Sequence, residues 1–256
     1  MMFLSFVSGA WVQGKQLERF NIDKEVAWDM LAYTAIAGIL GAKLYYLGLH
    51  WEDLVAHPFR ELTSRGGLVW YGGLIGGVTA FYLQARKLKF GVARLFDSAA
   101  PALAIAYAVG RMGCFLVGDD YGQYTNSWVG IKFPEGSPPS TAAVLRQLND
   151  HGVPANIPGS EVVPVHPTQL YEIGLSLIIF AIIWQVGKRK LKPGQLFALW
   201  MFCYSIERFL IEFVRAKGDR FVFGLSTSQV ASIILFAASI YLARRQASES
   251  PTRSPA

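Results

Sequence analysis

Charge is scarce in this chain. Only 16% of its 256 residues are Asp, Glu, Lys or Arg, against 52% hydrophobic, and the mean hydropathy is +0.31. A soluble domain carries about a quarter charged residues, so this composition excludes an ordinary soluble fold. Cysteine is nearly missing too: Cys114 and Cys203 are the only two, both sit in apolar windows, and no C-x-x-C spacing occurs. That excludes a disulfide framework and a zinc site. The four histidines, at 50, 57, 151 and 166, are too scattered to mark a metal centre, and no pattern calls for a cofactor. Internal repeats of the inverted-transporter kind are also absent.

What is present is a series of long apolar windows. About 20 apolar residues carry a helix across roughly 30 Å of hydrocarbon. Windows of this kind lie near residues 2–14, 27–47, 66–85, 96–117, 168–187, 195–214 and 224–243. They predict an all-α, polytopic membrane helix bundle with about seven transmembrane helices. The first window is too short to cross unaided, lacks a basic leading region and is followed by Lys15. It is not a secretory signal, and it fits a truncated or mis-started N-terminus.

The net charge of +6 and pI near 9.3 would suit nucleic acid if the basic residues formed one patch. Instead they gather in short clusters: Lys15, Arg19 and Lys24; Arg86, Lys87, Lys89 and Arg94; Lys188, Arg189, Lys190 and Lys192; Arg244, Arg245 and Arg253. Topology explains them better, with these alternate connections cytoplasmic, the N-terminus outside and the C-terminus inside. No nucleic-acid partner is expected. The connection from about 118 to 167, rich in Pro, Gly and Ser, then belongs outside, as a periplasmic loop or small cap. Within it, Ser140 to His151 predicts a short amphipathic helix that Ser140 or Thr141 would cap. Residues 1–243 are expected to form one membrane-embedded domain, and 244–256 a disordered cytoplasmic tail.

A charged residue inside a span costs about 2.5–3.5 kcal/mol on insertion scales, so each one suggests a task or a partner. With this topology Lys43 in GAKLYYLG, Tyr71 in GGLVWYGGLIGG, Arg111 in GRMGCFLVGDDYG, His166 in HPTQLYE, and Arg208 and Glu212 in YSIERFLIEF all lie toward outer span ends. One outward-facing pocket would collect them. Tyr204, Arg208 and Glu212 share a helix face. Taken alone they read equally as an ion pair near an interface. A second arginine on another span changes the balance, because two guanidinium groups can hold one phosphate through paired donors. An anionic lipid headgroup is the expected ligand. Gly72 and Gly73 suit either close helix packing or the site. Gly110 and Gly113 suit a broken helix end whose amides bind an anion, beside Asp119 and Asp120. His166, ahead of Pro167 at a helix start, reads as structural or functional.

In this order, YGGLIGG, GRMGCFLVGDDYG, HPTQLYE and RFLIEFVR resemble the motifs of prolipoprotein diacylglyceryl transferases, and the hydrophobic framework is similar over nearly the whole chain. The resemblance implies seven spans in the bacterial inner membrane. It also implies transfer of a diacylglyceryl group from phosphatidylglycerol to the thiol of a prolipoprotein lipobox cysteine, releasing glycerol phosphate. Its partners would be that lipid, the prolipoprotein signal segment and the surrounding membrane lipids. By motif position Arg111 and Arg208 would clamp the phosphate, Glu212 would accompany Arg208, and His166, Gln169, Tyr171, Glu172 and Tyr204 would position the site. Tyr71 stands where the family has His, Cys114 where it has Asn, and Asp119 where it has Glu. Tyrosine, with a pKa near 10, is a poor base at neutral pH. Asp119, His166 or Glu212 would then accept the thiol proton. Two alternatives stay open: a divergent paralogue with another thiol or hydroxyl acceptor, and a non-catalytic lipid-binding scaffold subunit. A transporter fits least, since the inner halves of the spans are nearly uncharged apart from Asp29 and Asp97.

Overall fold

A computed structural model describes residues 1–64, 66–88, 90–148, 152–216, 220–222 and 224–248. The elements are α1 (Met2–Arg19), α2 (Glu25–Leu49), short α3 (Trp51–Ala56) and α4 (Pro58–Thr63), α5 (Trp70–Lys87), α6 (Val92–Val117), short α7 (Ala142–Gln147), α8 (Thr168–Val186), α9 (Gln195–Ile211), strands β1 (Arg220–Val222) and β2 (Leu225–Ser226), and α10 (Thr227–Ser248). The chain is mostly helical, as the apolar windows predict. After α9 the chain makes a small antiparallel β1–β2 hairpin, turning at Gly224 with φ +76°, a backbone conformation that glycine adopts without steric cost.

Among the described residues, four helices are long and apolar enough to cross a membrane: α2, α6, α8 and the Thr227–Arg245 part of α10. Many of their large apolar side chains point outward. Tyr33, Ile36, Ile39, Leu40 and Leu44 of α2 are all more than half exposed, which water would penalise and lipid would not. The other three predicted windows are also helical, as α1, α5 and α9, but fall outside that set. At 17 residues, α9 spans only about 25 Å at 1.5 Å per residue.

The chain divides into two compact units, residues 13–96 and residues 1–12 with 97–256. In the first, α2 packs on α5 through facing small residues. A Cβ on Gly72 would collide with the Gly41 carbonyl, and one on Gly76 with the Ala37 carbonyl, so these backbones meet at a distance only glycine permits. Leu17, Ala27, Met30, Ala85 and Leu95 form a core beside this contact.

In the second unit, α8 and α9 pack antiparallel, and each changes character along its length. The buried stripe of α8 reads Thr168, Gln169, Glu172, Ser176, then Ile179 and Ile183. That of α9 runs from Leu196, Ala198 and Met201 to Ser205 and Glu207. The apolar ends meet Ala100 and Ala104 of α6 in one core, so polar groups gather at the opposite end. Asp97, the one buried charge at the apolar end of α6, has a structural partner. Its carboxylate accepts from Gly194 N at 2.6 Å and Phe197 N at 2.8 Å, capping α9 from a neighbouring helix.

The 118–167 connection is packed and largely irregular. Tyr121, Phe133, Ala142, Leu145, Val153, Val163 and Val165 form its core, and isolated bridges tie Tyr124 and Ile131 to Val165 and Thr141 to Val162. The predicted amphipathic helix is present as α7, capped by Thr141, whose hydroxyl accepts from Val144 N. Residues 149–151 and 249–256, on which the end of that helix and most of the expected tail fall, lie outside the described residues.

Candidate active site

The polar ends of α6, α8 and α9 hold a chain of alternating charges. Glu172, fully buried on the second turn of α8, is its hub. One carboxylate oxygen accepts from the Tyr107 hydroxyl at 2.7 Å, Arg111 Nη2 at 3.0 Å and Arg208 Nη1 at 2.9 Å. Arg111 Nε directs its proton at the Tyr107 hydroxyl, 3.1 Å away, and lies 2.9 Å from the second oxygen. Arg208 Nη2 reaches Glu212 at 3.1 Å, the i,i+4 pairing of one helix face. On the other flank Arg111 Nη1 donates to Asp120 Oδ2 at 2.9 Å, and Arg215 Nη2 donates to Asp120 Oδ1 at 2.5 Å. The order is Arg215, Asp120, Arg111, Glu172, Arg208, Glu212. Among the described residues, three guanidinium groups are paired with three carboxylates in this chain of contacts.

Local sequence explains how the loop carboxylates arrive. α6 runs unbroken through Gly110 and Gly113 to Val117, and stops at Gly118, which has φ +69° and serves as a left-handed helix stop. Asp120 is also left-handed, with φ +57°, a conformation aspartate tolerates better than most side chains. The first turn of α8 then fixes this turn through its carbonyls. Gln169 Nε2 donates to the Asp119 carbonyl at 2.6 Å and Thr168 Oγ1 to the Asp120 carbonyl at 2.8 Å. Just beyond, Tyr121 stacks on Phe133 and donates to the carbonyls of Pro138 and Pro139. Burial pushes its hydroxyl pKa up to about 12, so it stays protonated and keeps donating.

Several buried polar atoms here have no hydrogen-bond partner among the described residues: Asp119 Oδ1, Gln169 Oε1, Glu212 Oε1 and Arg215 Nε. Such unmet groups are what a site for a polar ligand would offer. Two linked guanidinium forks with an orphaned N–H suit a phosphate.

A model of the prolipoprotein diacylglyceryl transferase family matches residues 1–244. The chain belongs to this family. The phosphatidylglycerol–prolipoprotein diacylglyceryl transferase of Clostridium tetani is 29% identical over 243 residues, 94% of this chain and 89% of its own length. A second such transferase from Clostridium perfringens is 35% identical over 230 residues, 87% of this chain and 79% of its own. One from Neisseria meningitidis is 31% identical over 224 residues, 82% of this chain and 76% of its own. Membership and the four apolar helices together make this a multi-pass membrane protein and a transferase of its family.

The predicted site residues fall into both units. Arg111, Arg208, Glu212, Asp119 and Gln169 are brought together as described. Tyr204 is stacked on Trp200 and edge-on to Tyr107, shaping the ring wall beside the hub. His166 pairs its Nδ1 with the Tyr171 hydroxyl at 3.1 Å. Gly110 faces Ser5 and Gly113 faces Met1, with their amides inside the helical ladder rather than at a broken end. Cys114, in the family's Asn position, accepts from Arg111 Nη1 at 3.7 Å.

In the 13–96 unit, Tyr71 is half-exposed on the first turn of α5, and Gly72 and Gly73 face Gly41 and Gly38. Lys43 Nζ donates to Ser64 O, Ser64 Oγ and Gly66 O at 2.9–3.1 Å, holding the connection that precedes α5. Sequence reasoning did not single out Tyr107 or Arg215, and undervalued Asp120 and Glu172. Tyr107 lies one helical turn before Arg111, and Arg215 closes the motif RFLIEFVR at Arg208 + 7. Tyr107 is thus a helix-face signal, whereas Arg215 lies beyond the end of α9 and is bridged to Gly122, so helical spacing does not reveal it.

Proposed function

We propose that the protein transfers the diacylglyceryl group of phosphatidylglycerol to the lipobox cysteine thiol of a prolipoprotein and releases glycerol phosphate. It acts from the bacterial inner membrane, with seven spans within residues 1–243, the N-terminus and the 118–167 cap outside, and the C-terminal tail inside. The observation that carries the reading is the Arg215–Asp120–Arg111–Glu172–Arg208–Glu212 network in a chain of this family. Such a displacement at an sp³ carbon needs a cationic seat for the phosphate and a proton acceptor for the thiol. The thiolate sulfur attacks the glycerol carbon that bears the phosphate ester, the carbon–oxygen bond breaks, and the phosphate oxygen keeps the electron pair. Arg111 and Arg208 stabilise that oxygen's charge. Asp119, whose buried Oδ1 has no donor among the described residues, takes the thiol proton, a task for which Tyr71 is unsuited. Glu172, Gln169, Tyr204 and His166 position these groups.

The test is mass spectrometry of a lipobox peptide incubated with purified protein and phosphatidylglycerol, beside Arg208→Ala. A thioether-linked diacylglyceryl adduct that disappears in the variant is the expected result. A folded protein that binds the lipid yet gives no adduct refutes the acceptor assignment. It would point instead to the other reading that Tyr71 favours, transfer to a different thiol or hydroxyl.

A further inference from the structure

We infer that Asp120 is a specificity-determining residue that holds down the positive potential of the phosphate seat, so that a phosphodiester monoanion is accepted and a phosphomonoester dianion is expelled. The inference rests on the proposed reaction, whose lipid substrate is a diester and whose leaving group is a monoester.

Asp120 differs from the other carboxylates of the network. Glu172 is wholly buried and Glu212 nearly so, whereas the Asp120 side chain is 37% exposed. It bridges Arg111 and Arg215 with one oxygen on each, the arrangement in which two oxygens of a phosphate would bridge them. Arg215 is buried to 3% side-chain exposure, and its Nε has no acceptor among the described residues. A carboxylate oxygen therefore satisfies only part of this guanidinium, whereas a third phosphate oxygen can reach the rest. A phosphate seated on Arg111 and Arg208 takes the Arg111 nitrogen that Asp120 holds, and draws Arg215 into the seat. Because Thr168 fixes the Asp120 carbonyl, only the side chain turns aside, and its charge stays at the rim.

That residual charge acts on any anion in the seat in proportion to the anion's own charge. A phosphodiester carries one negative charge, and a phosphomonoester about 1.5 to 2 at neutral pH. Repulsion from Asp120 is therefore up to twice as large, in free energy, for the leaving glycerol phosphate as for the lipid headgroup. Asp120 favours release of product over loss of substrate.

The test compares two soluble competitors of phosphatidylglycerol on the full-length protein: glycerophosphoglycerol, a diester, and glycerol phosphate, a monoester. Asn tolerates the left-handed backbone, so Asp120→Asn removes the charge and keeps the turn. If the variant tightens the diester about 5-fold, the monoester should tighten toward about 25-fold, the square expected from doubled charge. Asp120→Glu keeps the charge and should keep the wild-type ratio of the two inhibition constants. Should Asp120→Asn lose turnover, calorimetric binding of both probes to the same protein reads the same ratio. Equal shifts for the two probes, or no shift in either, overturn the inference. Absence of transfer by the wild-type protein instead counts against the proposed reaction, and calorimetry then still decides the Asp120 question.

Discussion

Glu172→Gln is the sharpest probe of the charge network. The substitution preserves size and one acceptor oxygen but removes the charge that faces Arg111 and Arg208, whose side chains are each only 11% exposed. A buried pair broken from one side costs about 3–5 kcal/mol, because the remaining charge keeps its desolvation penalty without compensation. In a chain of this size that corresponds to about 6–20 °C in Tm. Thermal unfolding of the detergent-purified protein, followed by tryptophan fluorescence, measures it. The control is the double variant Glu172→Gln, Arg208→Gln, which restores charge balance and should recover at least about 1 kcal/mol relative to the sum of the single changes. If the single variant loses less than about 1 kcal/mol, or the double variant is additive within about 0.5 kcal/mol, Glu172 is not the compensating charge and the account of the site fails.

Asp97→Ala removes two charge-assisted bonds from the amino end of α9 and should cost about 2–4 kcal/mol. Faster hydrogen exchange at Phe197 and Ala198 would locate the loss. Gly76→Val drives a side chain against the Ala37 carbonyl and Gly41, with an expected loss of about 1–3 kcal/mol; Gly48→Ala, where a Cβ meets nothing within 4 Å, should leave Tm unchanged or slightly raised. Lys43→Met withdraws three bonds from the connection at Ser64 and Gly66, so limited proteolysis should cut there faster. A change in lipid binding with no change in proteolysis would instead give Lys43 a ligand-binding role.

The positions of the helices were legible from the sequence because hydrophobic windows record burial in lipid directly. The four long apolar helices lie within a few residues of their predicted windows, and α7 begins where Thr141 offers a cap. The β1–β2 hairpin was not legible. Its strands are three and two residues long, too short for a period-2 pattern to emerge. The role of Asp97, noted only as a charge in the inner half of a span, was not legible either. Its partners are backbone N–H groups nearly 100 positions away, and backbone donors leave no trace in residue identity.

The same limit governs the site. Arg208 with Glu212 was visible because helical spacing puts i and i+4 on one face, and Arg111 stood out because a charge in a span is costly. Glu172 and Asp120 drew less notice, since their arginine partners lie 36–61 and 9–95 positions away and only the packing of α6, α8 and α9 brings them together. Yet their presence follows from the physics that exposed the arginines. Three guanidinium groups beside apolar helix walls cannot stay uncompensated, so at least as many acidic groups must converge on them. The sequence offers few acidic residues near the ends of apolar windows, and Glu172, Glu212 and the Asp119–Asp120 pair are prominent among them. Charge balance thus narrows the acidic candidates, and the packing of α6, α8 and α9 decides which of them meet the arginines: Glu207, equally buried beside Arg208, pairs with Ser176 instead.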